Sequence, residues 1–124
     1  MFSNKNMDTK IKRLLPTQRE KKRYIVFEVI SQDKISDFVP ISQAIKQSIT
    51  KFLGEFLTAK AGIKILPKLW TTDKRRGVLK VNNTHTDLTK SALTLIKTVG
   101  QTPVIFRNIG VTGTIKKAHS RYLT

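Results

Sequence analysis

Apolar positions along the chain change their period several times, and each change marks an element. Arg23 to Ser31 reads Arg-Tyr-Ile-Val-Phe-Glu-Val-Ile-Ser, a run dominated by aromatic and β-branched side chains. Such a run predicts a central strand, apolar on both faces, with Glu28 as the exception. Pro40 suits a first helical turn. Ile41, Ala44, Ile45, Ile49, Phe52, Leu53, Phe56 and Leu57 then recur at helical spacing, opposite Gln43, Lys46, Gln47, Thr50 and Lys51. Gly62 predicts the stop. Gly54 falls inside the pattern and weakens it; a close packing contact is the expected reason for it.

From Ile63 to Thr71 the pattern alternates, Ile63, Ile65 and Leu69 against Lys64, Leu66 and Lys68, which predicts a strand with one wet face. Pro67 confines that strand to an edge or a bulge. Thr72 to Arg76 reads as a polar basic turn, and Gly77 to Asn83 as the returning strand of a hairpin. Thr84 to Val99 predicts a second helix. Thr84 or Thr86 is its cap, Asp87 sits in its first turn, and Leu88, Ala92, Leu95, Ile96 and Val99 form its buried stripe. Gly100 ends it. Thr102 to Ile109 is a last strand, Gly110 and Gly113 bracket a turn, and Thr114 to Leu123 is a short basic helix.

The order strand, helix, strand, strand, helix, strand is the split βαβ plan. It predicts an α/β (α+β) domain over residues 23–124: a four-stranded antiparallel sheet like that of the RNA-recognition motif, two helices on one face, the other face left available, and a helical tail. Residues 1–22 precede it as a basic arm, expected to be partly mobile because it holds little apolar surface.

Charge changes this picture most. Lysine and arginine number 24 against 8 aspartates and glutamates, a formal net charge of +16 on 124 residues. A free globule so charged repels itself, so a polyanionic partner is expected, and nucleic acid is the commonest one. With 39% hydrophobic residues the chain suits an ordered globule. The absence of cysteine excludes disulfides and thiolate metal sites. Neither a continuous apolar span nor a signal peptide is visible, which predicts a cytoplasmic protein without a membrane association.

The cations cluster in three places: Arg19, Lys21, Lys22 and Arg23 where the arm meets the first strand; Lys74, Arg75, Arg76 and Lys80 in the hairpin; Lys116, Lys117 and Arg121 in the tail. These are the candidate phosphate contacts. Base stacking has little support. Around Arg76-Gly77-Val78-Leu79-Lys80-Val81 the aromatic positions of the RNA-recognition-motif octamer are aliphatic, and Tyr24 and Phe27 point to opposite faces. RNA binding would rest on phosphate and shape contacts. Catalysis has as little support: His85 and His119 lie apart from any carboxylate in sequence, and no histidine pair stands at metal-binding spacing. An acylphosphatase-like site would have to use Arg107 with Asn82 or Asn83, without a glycine-rich loop after the first strand. Trp70 reads as a packing or protein-contact residue.

Several stretches resemble the family of ribonuclease P protein component 2, the archaeal relative of the small subunit shared by eukaryotic ribonuclease P and MRP. They are Lys22-Arg23-Tyr24-Ile25-Val26-Phe27-Glu28-Val29, the helix ending in Gly54-Glu55-Phe56, Gly77-Val78-Leu79-Lys80-Val81-Asn82, and Arg107-Asn108-Ile109-Gly110-Val111-Thr112-Gly113-Thr114-Ile115-Lys116-Lys117-Ala118. The resemblance covers residues 20–123. In the last stretch Gly110 and Gly113 are expected to permit a sharp exit from the strand, with Thr112 or Thr114 capping the helix that presents Lys116 and Lys117; Gly77 belongs to the same structural motif set.

The resemblance implies a subunit of the ribonucleoprotein that removes the 5′ leader from precursor tRNA, with no catalytic residue of its own. The RNA subunit would perform a magnesium-assisted hydrolysis, and the protein itself would bind no cofactor or metal. Implied partners are ribonuclease P RNA, ribonuclease P protein component 3 in a heterotetramer, other ribonuclease P proteins and, indirectly, precursor tRNA. Ile115 and Tyr122 are candidates for protein contact. Alternatives are a general structured-RNA-binding or ribosomal-type protein, a ligand-sensing domain, and the acylphosphatase-like hydrolase.

Overall fold

The computed structural model describes residues 21–33, 35 and 37–124; the arm residues 1–20, Arg19 among them, lie outside the described residues. Strand β1 (Lys22–Ile30) is the centre of the sheet, as its doubly apolar pattern demands. Helix α1 (Phe38–Ala61) follows. Asp37 caps it by accepting from the Val39 amide at 3.1 Å, and Gly62 closes it at φ 62°. Pro40 occupies the first turn, where the backbone has no intrahelical acceptor to lose. The short strand β2 (Lys64–Ile65) ends before Pro67, and Pro67–Leu69 forms a 3₁₀ turn. Strand β3 (Arg76–Asn82), a 3₁₀ turn (Asn83–His85), helix α2 (Thr86–Thr94), a small hairpin of β4 (Thr98–Val99) and β5 (Thr102–Pro103), and strand β6 (Ile105–Thr112) complete the plan. Helix α3 (Ile115–Ala118) continues as a π-turn over His119–Leu123.

The main sheet has the order β2-β3-β1-β6, with every pairing antiparallel. This is the predicted split βαβ arrangement. Alternation along β1 sends Ile25, Phe27 and Val29 to the face under α1 and α2. There Ile41, Ile45, Ile49 and Leu53 of α1 meet Ala92 and Leu93 of α2, and Phe27 stacks on Phe106 at 5.6 Å between ring centroids. Ser48 ties the two helices by donating to the Ala92 carbonyl at 2.7 Å.

The structure departs from the pattern at several positions. Gly54 does not mark close packing: nothing lies within 4 Å of a Cβ built there. It holds φ 80°, ψ 165°, a backbone state open essentially to glycine, and so breaks α1. Phe52, Phe56 and Leu57, placed by period on the buried stripe, are exposed; Phe56 is 77% accessible. The second helix stops at Thr94, not Val99, because Gly100 at φ 63° turns the chain into the β4–β5 hairpin. Its buried residues include Thr89 and Leu93, while Leu88 and Leu95 face outward. Thr89 was hidden by its polarity; its hydroxyl donates to the His85 carbonyl at 2.8 Å. Neither Thr84 nor Thr86 is the cap residue, which is His85, without a side-chain cap bond.

The sheet face away from α1 and α2 is not left open. Ala118 and Leu123 of the tail pack on Val26 and Val78, flanked by Tyr24, Leu66, Leu69, Ile109 and Tyr122. Gly110 is no turn residue; it pairs with Val26 inside β6, and a Cβ on it would sit 2.2 Å from the Tyr122 hydroxyl. Its missing side chain is the space that admits the tail. Gly77 plays the same part on the other face, where its Cβ would meet the Phe27 ring at 2.6 Å. A Cβ on Gly113 would meet only the Arg23 guanidinium, at an ordinary 4.0 Å, and its φ is not positive, so no glycine-specific turn is required there.

Candidate nucleic-acid interface

The tail begins where β6 ends. Thr112 donates its hydroxyl proton to the Thr114 carbonyl at 2.8 Å, and Thr114 is the helix cap, accepting from the Lys117 amide at 3.1 Å. The cap therefore fixes the first turn that carries Lys116 and Lys117. Both are exposed, as is Arg121 one turn further on, and none of the three has a polar side-chain partner among the described residues. Their heads are free for an external anion.

The hairpin cations are differently placed. Lys74 donates to the Thr124 carbonyl. Arg75, at φ 55°, donates to the Ser31 carbonyl at 2.8 Å. Arg76 donates to the Tyr122 carbonyl at 2.7 Å and pairs through Nε with Glu28 at 3.3 Å. Lys74 and Arg76 thus satisfy carbonyls at the end of the tail, where a helix leaves its last acceptors unpaired. Two of the sequence-predicted phosphate contacts work as fasteners for the tail that presents three of the others. Glu28 also takes Arg107 at 3.0 Å, so the one acidic residue of β1 gathers two guanidiniums beneath the tail.

At the other end of the sheet, Lys21 is exposed and Lys22 reaches the Asn82 side-chain oxygen. Arg23 donates to the Lys22 carbonyl at 2.9 Å. Lys80 lies opposite Tyr24 on one side and Lys64 on the other. The sequence-predicted set is therefore split by the fold: Lys21, Lys22, Arg23 and Lys80 at one end of the sheet, Lys74, Arg75 and Arg76 at the other, with the tail bridging them. Lys64 joins the first end, and Lys68 lies further along the edge, in the 3₁₀ turn between Leu66, whose amide bonds to Val78, and Thr71, which pairs with Arg76. Sequence reasoning placed them only on a wet strand face; their alternation with Ile65 and Leu69 was the available signal. Of the two protein-contact candidates, Tyr122 is turned inward against Gly110, whereas Ile115 remains 43% exposed.

Catalytic arrangements fare poorly. Arg107 is paired opposite Glu28 and Asn82 opposite Lys22 in the β1 registers. Six strand residues separate those rows, roughly 20 Å, so the two cannot share a phosphate. The Asn82 amide is bound to the Lys60 carbonyl at 3.0 Å. His85 Nδ1 is held by the Thr84 hydroxyl at 2.8 Å. Among the described residues no three histidine, cysteine, aspartate or glutamate side chains are grouped to hold a metal ion, and no helix is long and apolar enough to cross a membrane.

Comparison with known proteins agrees with this architecture. Residues 23–123 match the Rpp14/Pop5 family. The chain is 33% identical over 113 residues to ribonuclease P protein component 2 of Methanocaldococcus jannaschii, covering 91% of this chain and 81% of that protein. It is 34% identical over 118 residues to the component 2 of Pyrococcus furiosus, covering 95% and 96%, and 35% identical over 113 residues to that of Archaeoglobus fulgidus, covering 91% and 98%. Among solved structures, a chain of yeast ribonuclease MRP superposes with a TM-score of 0.58 at 12% identity, covering 77% of this chain and 76% of that one. That likeness concerns the fold.

Proposed function

The chain belongs to the Rpp14/Pop5 family and to the ribonuclease P/MRP class of ribonucleoprotein subunits, and on that premise we propose that it binds and stabilises the catalytic RNA of a ribonuclease P. The RNA removes the 5′ leader of precursor tRNA with magnesium bound to itself, and the protein contributes affinity and folding. The observation that carries this reading is the family match across nearly the whole described domain. The free cations of the tail supply a physical route. Lysine and arginine near phosphates release condensed counterions and lower the repulsion between RNA helices, which reduces the magnesium the RNA needs. Component 3 is the proposed protein partner, in a heterotetramer. Co-purification and a concentration-dependent mass shift test that pairing.

Reconstituted cleavage of precursor tRNA, with a fixed RNA subunit and its other proteins, tests the main reading. Adding the chain is expected to raise the rate and lower the magnesium requirement. Combined Lys116→Ala, Lys117→Ala and Arg121→Ala is expected to shift the requirement back upward. A cleavage reaction indifferent to the chain would end this assignment; indifference to the triple variant alone would remove the tail from the RNA surface.

A further inference from the structure

Lys64 and Lys80 stand directly opposite each other in the antiparallel register of β2 and β3. Like charges so placed oppose pairing. The strand that carries the repulsion is the shortest of the sheet: β2 has two residues, and beyond the Ile65–Leu79 pair the edge is held by the Leu66 amide on the Val78 carbonyl and an isolated bridge between Thr71 and Arg76. Neither lysine has a carboxylate partner among the described residues. The fold therefore keeps an uncompensated positive edge that costs it stability. Beside that edge lies a groove of about 380 Å³. Its walls are Ile65, Leu66, Pro67 and Leu69 from the edge, with Ile115 from the tail, and Lys64 and Lys68 stand at its rim.

We propose that this groove receives one unpaired nucleotide of the RNA, its base against the aliphatic walls and its flanking phosphates on Lys64, Lys68 and Lys80. The inference rests on the ribonuclease P reading and adds a location to it. Charge decides the occupant. A protein segment filling the groove would have to bring an apolar plug together with several carboxylates to meet the lysines. A nucleotide carries both, a base with two apolar faces and a phosphate on either side. Aliphatic walls offer no donors or acceptors to the base edge, so the site holds a nucleotide without reading its identity. Ile115 thereby changes role from a protein-contact candidate to a wall of the RNA site.

The test uses the full chain in the reconstituted holoenzyme and in direct binding to ribonuclease P RNA. Combined Lys64→Gln, Lys68→Gln and Lys80→Gln is expected to reduce the magnitude of the log affinity against log salt slope by about 2, and to weaken binding about tenfold at 0.15 M salt. The melting temperature should hold or rise, because the cross-strand repulsion is gone. An unchanged slope overturns the proposal, and so does weaker binding that only tracks a lower melting temperature. A photoreactive phenylalanine analogue in place of Ile115 is expected to form an adduct with a nucleotide. An adduct with a protein subunit instead, or no adduct with RNA, overturns it. The unsubstituted chain separates the two readings: if it neither binds the RNA nor supports cleavage, the function itself fails; if it does both and the variant matches it, only the groove assignment fails.

Discussion

The two faces of the sheet solve the same problem in opposite ways. Beneath α1 and α2, hydrocarbon meets hydrocarbon: Ile25, Phe27 and Val29 of β1 are enclosed by Ile41, Ile45, Ile49, Ala92 and Leu93. Beneath the tail, Val26 and Val78 meet Ala118 and Leu123 in a smaller cluster rimmed by the partly buried Tyr24, Leu66, Leu69, Ile109 and Tyr122, and polar contacts add to it. Arg76 spans from Glu28 to the Tyr122 carbonyl, and Lys74 holds the Thr124 carbonyl. The first face determines whether the chain folds. The second determines whether a basic helix is docked on a sheet that would otherwise present bare Val26 and Val78. Hydrophobic burial scales with area, so the small cluster leaves the tail as the separable part.

The largest loss is expected from Phe27→Ala. Phe27 is fully buried and touches both Phe106 and the space over Gly77. The substitution is expected to destabilise the whole domain by about 3–5 kcal/mol, read as a lower urea midpoint with all probes coincident. If the tail melted separately and the sheet held, the helix-covered face would not be the foundation of the fold.

A smaller effect, confined to the other face, is expected from Gly110→Ala. The new methyl would lie 2.2 Å from the Tyr122 hydroxyl, so the ring must move. The cost is about 1–3 kcal/mol, the usual range for overpacking. In a Tyr122→Ala background the same change should cost nearly nothing, because the atoms it strikes are gone. Urea titration of the four proteins measures the coupling. Additive costs would show that Gly110 is needed for its backbone and not for the room it leaves the ring.

Much of the helix-covered face was legible in the sequence, because its signal is periodic. Ile41, Ile45, Ile49 and Leu53 mark one stripe, and the strand order follows from their neighbours. What period could not supply is where it is interrupted. Gly54 breaks α1 so that Phe56 leaves the stripe it belongs to by spacing, and Gly100 converts the end of a helical pattern into a hairpin. The tail-covered face was less legible still. A run of four α-helical residues cannot announce which surface it will meet. Composition counts Lys74, Arg75 and Arg76 with Lys116 and Lys117 as equal cations, although backbone carbonyls claim the first three. The clue was Glu28, an acid in an apolar strand, which implied cations brought to it from elsewhere in the chain.

The smallest perturbation that distinguishes the two faces is at Glu28, which lies on the tail-covered side. Glu28→Gln keeps the shape and removes the charge that gathers Arg76 at 3.3 Å and Arg107 at 3.0 Å. The Arg107 side chain is 61% exposed, so its share is the modest one of a surface pair. Arg76 is less exposed and also holds the tail through Tyr122, so most of the loss, about 1–2 kcal/mol in all, comes through it. The same change releases positive charge beside the tail. If the tail stays docked, RNA affinity rises and its salt slope steepens by up to about 1. If the slope instead becomes shallower, the tail has left the sheet, and the ion pair, rather than the Val26 and Val78 contact, is what keeps Lys116 and Lys117 in position. Either slope separates polar fastening from apolar packing on the face where both are present.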